Sequence, residues 1–276
     1  MPELPEVETT TRGLQYFVGF YIKIIKIHKY NLRYPIPRKI PIIVKNSKIQ
    51  SIQRVAKYII INLNNSHSLI FHLGMSGRLK KTKNRGNISK EKHDHIEILF
   101  KNGEKIAYND PRRFGMLDYC VTKNLYNHKF LKNLGLDPFD RNFDAPYLLS
   151  RIKKSNSSIK SLIINQKIIA GIGNIYASEI LFDCGISPFR KGNKILKREI
   201  PNLINSIKKI LKKAIKSKGS TLKDYVSVEG NIGNFQNSFV VYNNDGKTIL
   251  FGSVKAKIVK KTQNGRSTFY CPYYQK

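Results

Sequence analysis

The chain changes its hydrophobic rhythm twice. Leu4, Val7, Thr11, Leu14 and Val18 recur three or four residues apart, a spacing that lays one apolar stripe along a helix stopped near Gly19. From Tyr21 to about Tyr119 shorter runs replace that period: Ile22, Ile24 and Ile27, then 42–44, 49–52, 58–63, 69–73, 96–100 and 105–108. They read as strands. The last two flank Asn102-Gly103, the dipeptide a type I′ hairpin prefers. Many short strands with turn signals predict a sandwich or barrel carrying the N-terminal helix on one edge.

At 134–138 the pattern turns from strands to helices, which sets a domain boundary. Stretches 147–153 and 159–165 predict short helices, and a glycine-rich turn at 170–173 leads into another helix running to about Cys184. Between 201 and 216, Leu203, Ile207, Ile210, Leu211 and Ile215 face inward and lysines outward. The stretch 219–236, with Ser220, Thr221, Gly230 and Gly233, reads as a mobile loop. Alternation then returns at 239–242, 254–260 and 267–271, so the Asn264-Gly265 turn puts Arg266 at a hairpin tip. The expected class is α+β. A β-sandwich with its helix spans 1–133, a helical domain with the 219–236 loop spans 134–238, and a β-hairpin finger spans 239–276.

Charge narrows the choice of partner. Fifty Lys and Arg against eighteen Asp and Glu give 276 residues a formal charge of +32, which favours a polyanion, nucleic acid ahead of an anionic membrane. Part of the excess fits compositional drift, because Lys, Ile and Asn are abundant throughout. Cys120, Cys184 and Cys271 lie too far apart for a disulfide framework and point to a reducing compartment. No apolar run approaches the roughly 18 residues of a membrane span, the densest being 58–61, and the acidic start is not a secretory signal. A cytoplasmic protein is expected.

Candidate chemistry begins at Pro2. Once Met1 is removed, its ring nitrogen is a free secondary amine; alone, a Met-Pro start is only a helix with proline in its first turn. Glu3 and Glu6 sit in that turn, where the helix dipole favours their ionised forms and disfavours a protonated amine. An α-amino group titrates near ~7.7–8.0 and lysine near ~10.4, so amine chemistry at neutral pH should choose Pro2. Three further stretches, 54–57, 72–77 and 110–115, each pair a cation with glycine or an apolar residue. Lys57 or His72 alone would be an ordinary surface group. Together with Met75 and Phe114 they suit a duplex, with charges on phosphates and apolar wedges between bases. Gly171 and Gly173 lack the third glycine and preceding strand of a dinucleotide fingerprint, so the helix start they open, with Asn174 as a donor, fits a DNA phosphate better than a cofactor.

In order along nearly the whole chain, these stretches resemble the bacterial formamidopyrimidine-DNA glycosylases, which excise 8-oxoguanine and ring-opened purines. The resemblance rests on Pro2 to Glu6, Lys57, 72–77, 92–95, 110–115, 171–179 and 266–271. It implies that Pro2 attacks C1′ of the damaged nucleotide and that Glu3 serves as acid and base. Glu6 would orient the helix start. Lys57 and Arg266 would belong to the catalytic set and, with His72 and Asn174, grip phosphates; His93 would be a further DNA contact. Met75, Arg112 and Phe114 would fill the gap left by the flipped nucleotide, Arg112 pairing with the opposite cytosine. The loop from Ser220 and Thr221 onward would close over the base. The implied partner is damaged double-stranded DNA, bound by a monomer in the bacterial cytoplasm at the nucleoid.

Endonuclease VIII-type relatives share the Pro-Glu start, but they usually have glycine where this chain has Leu4, and they lack the Met75, Arg112 and Phe114 set. The chain departs from the family pattern at its finger. Four cysteines are usual there; here Phe251, Val254 and Tyr274 occupy three of the positions and Cys271 the fourth. One thiolate cannot hold a structural zinc. The expectation is therefore no cofactor, and a zincless finger held by Phe251, Val254, Phe269 and Tyr274. A DNA-binding protein that kept the charge and lost the chemistry is the competing reading. Pro2, Glu3 and all three void fillers stand against it, since binding alone needs no such combination.

Overall fold

The computed structural model describes residues 1–83, 91–220, 228 and 233–276. The chain divides into two compact units, Met1–Lys132 with Ser217–Asn234, and Asn133–Lys216 with Phe235–Lys276.

The first unit opens with α1 (Leu4–Leu14) and a 3-10 turn at Gln15–Phe17. There follow β1 (Ile22–Ile27), α2 (Ile40–Val44), β2 (Ile49–Val55), β3 (Tyr58–Leu63), β4 (His67–His72), β5 (Arg78–Lys83), β6 (Asp94–Phe100), β7 (Glu104–Asn109) and β8 (Met116–Val121). Among the described residues these strands form two four-stranded antiparallel sheets, ordered β1-β6-β7-β5 and β2-β3-β4-β8. One core joins them: Ile25, Ile98 and Ile106 from the first sheet meet Ile59, Leu69 and Phe71 from the second. Val7, Leu14 and Phe17 close it along α1, each large apolar side chain stabilising the fold by roughly 1.5–3 kcal/mol. Arg54 of β2 donates to Glu8 at 2.8 Å and fastens α1 to the sandwich. Burial alone would raise the Glu8 pKa, but Arg54 and Arg12 overcome it and hold the carboxyl below its ordinary value.

Three local expectations are corrected. The 42–44 run is helical: Pro41 sits in the first turn of α2, and Ile40 and Val44, four apart, are buried while Ile42 is 79 % exposed. A strand would have turned Ile42 and Val44 to the same face. At Asn102-Gly103 only Gly103 takes a positive φ, +85°, so the turn is not type I′, whereas Asn264 (+50°) and Gly265 (+69°) do form that turn. In this unit β5 and β8 are both unexpected strands. β5 buries Leu79 but is otherwise rich in lysine, so its alternation is nearly invisible in the sequence. Its register comes from pairing with β7, Arg78 opposite Asn109.

The second unit contains α3 (Ala145–Ile152), α4 (Ile159–Ile163), α5 (Asn174–Asp183) and α6 (Ile200–Lys216), then two hairpins, β9 (Thr248–Phe251) with β10 (Val254–Lys257) and β11 (Val259–Gln263) with β12 (Arg266–Tyr270). In α6, Leu203, Ile207, Ile210 and Leu211 are buried as the period predicts. Residues 239–242 are not a strand. Three of their amides are taken by Glu179 of α5, whose carboxylate accepts N–H from Val240 (2.9 Å), Val241 (3.0 Å) and Tyr242 (2.7 Å), and the Phe239 N–H turns back to the Gln236 carbonyl, which leaves none for a ladder. Burial raises the Glu179 pKa, and those three N–H groups offset part of the rise. The 254–260 run breaks at buried Ile258, which bonds back to Lys247. Among the described residues no helix is long and apolar enough to cross a membrane.

Candidate active site

In the first unit the site is built on the first turn of α1. Pro2, Glu3 and Glu6 are all buried. Glu3, the N-cap residue, donates its N–H to Glu6 Oε2 at 2.8 Å. The other Glu6 oxygen accepts the Ser220 N–H at 2.8 Å and the Ser220 hydroxyl at 3.0 Å. One carboxylate therefore fixes both the start of α1 and the base of the 219–236 stretch. Gly219 is required beside it: its φ is +76°, and a Cβ there would lie 3.0 Å from Glu6 Oε1. Thr221, Gly230 and most of that stretch lie outside the described residues. Met1 is still attached, so the Pro2 nitrogen is an amide in this form of the chain.

Lys57 follows Ala56, whose φ of +54° marks a tight turn from β2 into β3. Although a lysine, it is buried. His72 ends β4, with its ring 4.9 Å from that of Tyr58. Its pKa is pushed down to about 4, first by burial and then by the charges of Lys57 and Arg33. Its Nδ1 accepts the Gly74 N–H at 3.0 Å, which leaves the proton of the neutral ring on Nε2. His72 is thus a neutral donor, not the cation the sequence reading placed here.

Past His72 the chain turns through Gly74 (φ +66°) and presents Met75; past β7 it turns through Arg113 (φ +58°) and presents Arg112 and Phe114. Met75 and Phe114 are 37 % and 46 % exposed, costly positions for apolar side chains without a partner. The Arg112 guanidinium lies over the Phe114 ring, 4.9 Å from its centroid. Met1, Arg33, Gly74, Met75, Arg112 and Phe114 line one cleft of about 390 Å³. The structure thus brings the N-terminus and the three proposed void fillers to the same cavity. His93, with φ +74°, sits beside these loops; its carbonyl accepts the Asp110 N–H at 3.1 Å.

Asn174 and Arg266 belong to the second unit. Asn174 begins α5, and its Nδ2 donates to the Ser267 carbonyl at 2.9 Å while its buried Oδ1 has no hydrogen-bond partner among the described residues. Lys160 joins the same anchor, donating to Ser267 O at 3.1 Å and to the Thr268 hydroxyl at 2.7 Å. Arg266, next in the chain, is exposed at the start of β12. The sequence reading missed Lys160, because a lysine on a short helix looks like any solvated one. Arg33 was missed as well, lying in a segment without periodicity.

The finger lacks the donor set of a zinc site. Cys271 is fully buried and its N–H is bonded to Gln275 Oε1 at 2.8 Å. At the other three positions stand Phe251, Val254 and Tyr274, which offer no thiolate or imidazole, and among the described residues no three His, Cys, Asp or Glu side chains converge as ligands. These residues do not fit a structural zinc. Phe251 stacks on Tyr274 at 5.0 Å and 20°, with Tyr273 at 5.6 Å and Phe182 against Tyr274 at 5.2 Å. Val254 lies opposite Phe251 in the β9–β10 hairpin and is about as exposed as Tyr274. The expected membership is corrected in one place: Phe269 packs with Val241 and Ile258 in a neighbouring cluster. Burial pushes the Cys184 thiol up to about 12 and raises that of Cys120, so neither is a reactive thiolate.

An antiparallel sandwich capped by an acidic helix start, with a helical unit ending in hairpins, is the architecture of a DNA-repair glycosylase. Two family models match the chain, the formamidopyrimidine-DNA glycosylase N-terminal domain over residues 1–117 and the formamidopyrimidine-DNA glycosylase H2TH domain over 134–226. Similar curated proteins include the formamidopyrimidine-DNA glycosylases of Rickettsia bellii, 42 % identical over 277 residues, and Ruegeria pomeroyi, 37 % identical over 283, each match covering 100 % of both chains. Among solved structures, a Lactococcus lactis enzyme of the same name bound to DNA containing an abasic site has a TM-score of 0.90 at 31 % identity over 99 % of each chain. A second complex, with DNA containing an oxidized pyrimidine, matches at 0.90 and 32 % over 100 % of each. The chain belongs to the formamidopyrimidine-DNA glycosylase family, whose members are DNA glycosylases with AP lyase activity.

Proposed function

We propose that this protein removes oxidised purines, 8-oxoguanine and formamidopyrimidines, from duplex DNA and then cuts the strand by β,δ-elimination through a Schiff base on Pro2. The observation that carries this reading is the Glu6 carboxylate, which fixes Glu3 and Ser220 around the first turn that would bear the nucleophile. With Met1 removed, the Pro2 lone pair forms a bond to C1′ while the C1′–N9 bond breaks and its electrons leave with the base, which takes up a proton. Glu3 takes the N–H proton that the newly bonded Pro2 nitrogen sheds and delivers it to O4′ as the C1′–O4′ bond breaks and the sugar ring opens, leaving C1′ doubly bonded to a cationic Pro2 nitrogen. That iminium accepts the electrons freed when C2′ loses a proton, and the C3′–O bond breaks. Loss of a proton at C4′ then breaks the C5′–O bond, and water releases Pro2.

Lys57, His72, Asn174 and Arg266 bind backbone phosphates in this reading, with Lys57 and Arg266 also serving the elimination steps. His93 is a further DNA contact. Extrusion of the nucleotide leaves a gap that Met75, Arg112 and Phe114 fill, the guanidinium facing the orphaned cytosine. The loop beginning at Ser220 and Thr221 closes on the extruded base. No step uses a metal, and the finger is held by the stack of Phe251 on Tyr274.

The purine preference is tested with otherwise identical duplexes carrying 8-oxoguanine or an oxidised pyrimidine opposite their normal partners. Faster excision of 8-oxoguanine, with phosphate at both new ends, is expected. Product ending only in a β-elimination fragment would remove Arg266-assisted δ-elimination from the account. Faster cutting of the pyrimidine would overturn the purine assignment, a real contest because the similar Lactococcus structure holds an oxidized pyrimidine.

A further inference from the structure

Met75, Arg112 and Phe114 sit on two loops far apart in sequence, and their side chains are too exposed to hold one another in place. Their placement is set by the backbone beneath, and that backbone converges on Asp110. This residue is completely buried. Its Oδ1 accepts the Ser76 hydroxyl at 2.6 Å, from the loop that carries Met75. Its Oδ2 accepts the Gly115 N–H at 2.8 Å, from the loop that carries Arg112 and Phe114, and the Tyr108 hydroxyl at 3.2 Å. Burial, then the Asp110 charge, raises the Tyr108 pKa well above its ordinary value, so the phenol remains a donor. Ser76 completes the link by accepting the Arg112 N–H at 3.2 Å. The Asp110 backbone also bonds to His93 O through its N–H and to His95 Nε2 through its carbonyl at 2.9 Å.

Close packing makes the two loops a single body. A Cβ on Gly74 would overlap the Phe114 carbonyl group, and one on Gly77 or Gly115 would overlap the Tyr108 hydroxyl. Neither loop can shift without the other. We propose that Asp110 is a positioning residue that locks the Met75 loop and the Arg112–Phe114 loop into one wedge, so that opposite-base discrimination depends on a carboxylate that never touches DNA. The inference rests on the void-filling role proposed above. A charged acceptor suits the task because three donors from three segments converge on it, and hydrogen bonds to ionised groups are about twice as strong as neutral ones.

The test separates the wedge from the chemistry. Asp110→Ala, Asp110→Asn, Ser76→Ala and Tyr108→Phe are compared in single-turnover excision of 8-oxoguanine opposite cytosine or adenine. The same proteins are assayed for cleavage of a single-stranded abasic oligonucleotide, which needs no gap filled. Asp110→Ala is expected to slow duplex excision by on the order of 10²-fold and to erase the preference for cytosine, with single-strand cleavage unchanged. Asp110→Asn should retain most of the function, because the Ser76 hydroxyl can rotate to accept from the new amide. Ser76→Ala and Tyr108→Phe, each losing one bond, should shift the same ratio by about tenfold or less, and they keep the test decisive if Asp110→Ala does not fold. Removing Asp110 from a Met75→Ala, Arg112→Ala, Phe114→Ala background should add nothing. An unchanged opposite-base ratio in all four single variants, or additivity in that background, overturns the proposal. If the triple variant itself excises at the parental rate, the void-filling reading fails instead.

Discussion

The neutral state of His72 makes a prediction with a definite sign. In an unfolded chain this histidine titrates near its ordinary 6.5, and in the folded protein near 4, because burial and then Lys57 and Arg33 oppose its charge. Between those values the unfolded chain binds a proton that the folded one refuses, so stability falls as pH falls through that window. Above about pH 6.5 the contribution is complete and flat. The gap corresponds to roughly 3 kcal/mol at its limit, of which about 2 kcal/mol is lost by pH 5. His72→Gln removes the titration while its side-chain carbonyl can still accept the Gly74 N–H. Urea unfolding of both proteins at several pH values from 7.5 to 5 is the assay. The stability advantage of the parent over the variant should shrink by about 2 kcal/mol across that range. Parallel curves would refute the reasoning, as would an imidazole resonance titrating near 6.5 in the folded protein.

Three other outcomes follow from the same geometry. Glu6→Ala strands the buried Glu3 and Ser220 donors and should cost on the order of 3–5 kcal/mol in urea unfolding, with strand cleavage lost before DNA binding; a loss below about 1 kcal/mol would show that this carboxylate is not the tie between α1 and Ser220. Metal analysis of the purified protein should find no stoichiometric zinc, and Phe251→Ala should lower stability by about 1–2 kcal/mol through the lost stack, whereas one tightly bound zinc per chain would end the aromatic account of the finger. Lys57→Ala should reduce the slope of log affinity against log salt by about one; an unchanged slope would remove Lys57 from the phosphate contacts.

Much of the architecture was legible because burial leaves a period in sequence. Leu4, Val7 and Leu14 announced α1, and most strands of both sheets announced themselves; β5 did not, because Leu79 is nearly its only buried apolar residue, and β8 was not read because Met116 and Leu117 are adjacent and leave no alternation. The run at 42–44 misled because three apolar residues are too few to distinguish a strand from a single helical turn. The finger's composition revealed the missing thiolates, but which aromatic packs on which depends on tertiary contacts, so Phe269 was misplaced. In the candidate site, Pro2, Glu3 and Glu6 stood out only because they open a series of seven stretches in register along the chain, since proline and acids are common at a helix start. Asp110, Lys160 and Glu179 were not read as anchors, since nothing local distinguishes a buried acid with several donors, or a lysine seated on a carbonyl, from the same residue in water. His72 shows the limit most plainly: its residue type is in the sequence, and its charge is set by burial and by Lys57 and Arg33.

The central claim is that the amine of Pro2 forms a covalent intermediate with the damaged nucleotide. Borohydride reduction during reaction with a duplex carrying one 8-oxoguanine opposite cytosine tests it directly. The account predicts a trapped protein–DNA adduct whose peptide map places the DNA on Pro2, and which disappears when the terminal amine is blocked or Met1 is retained. Tight binding of that duplex without an adduct, or an adduct mapped to Lys57, would contradict it.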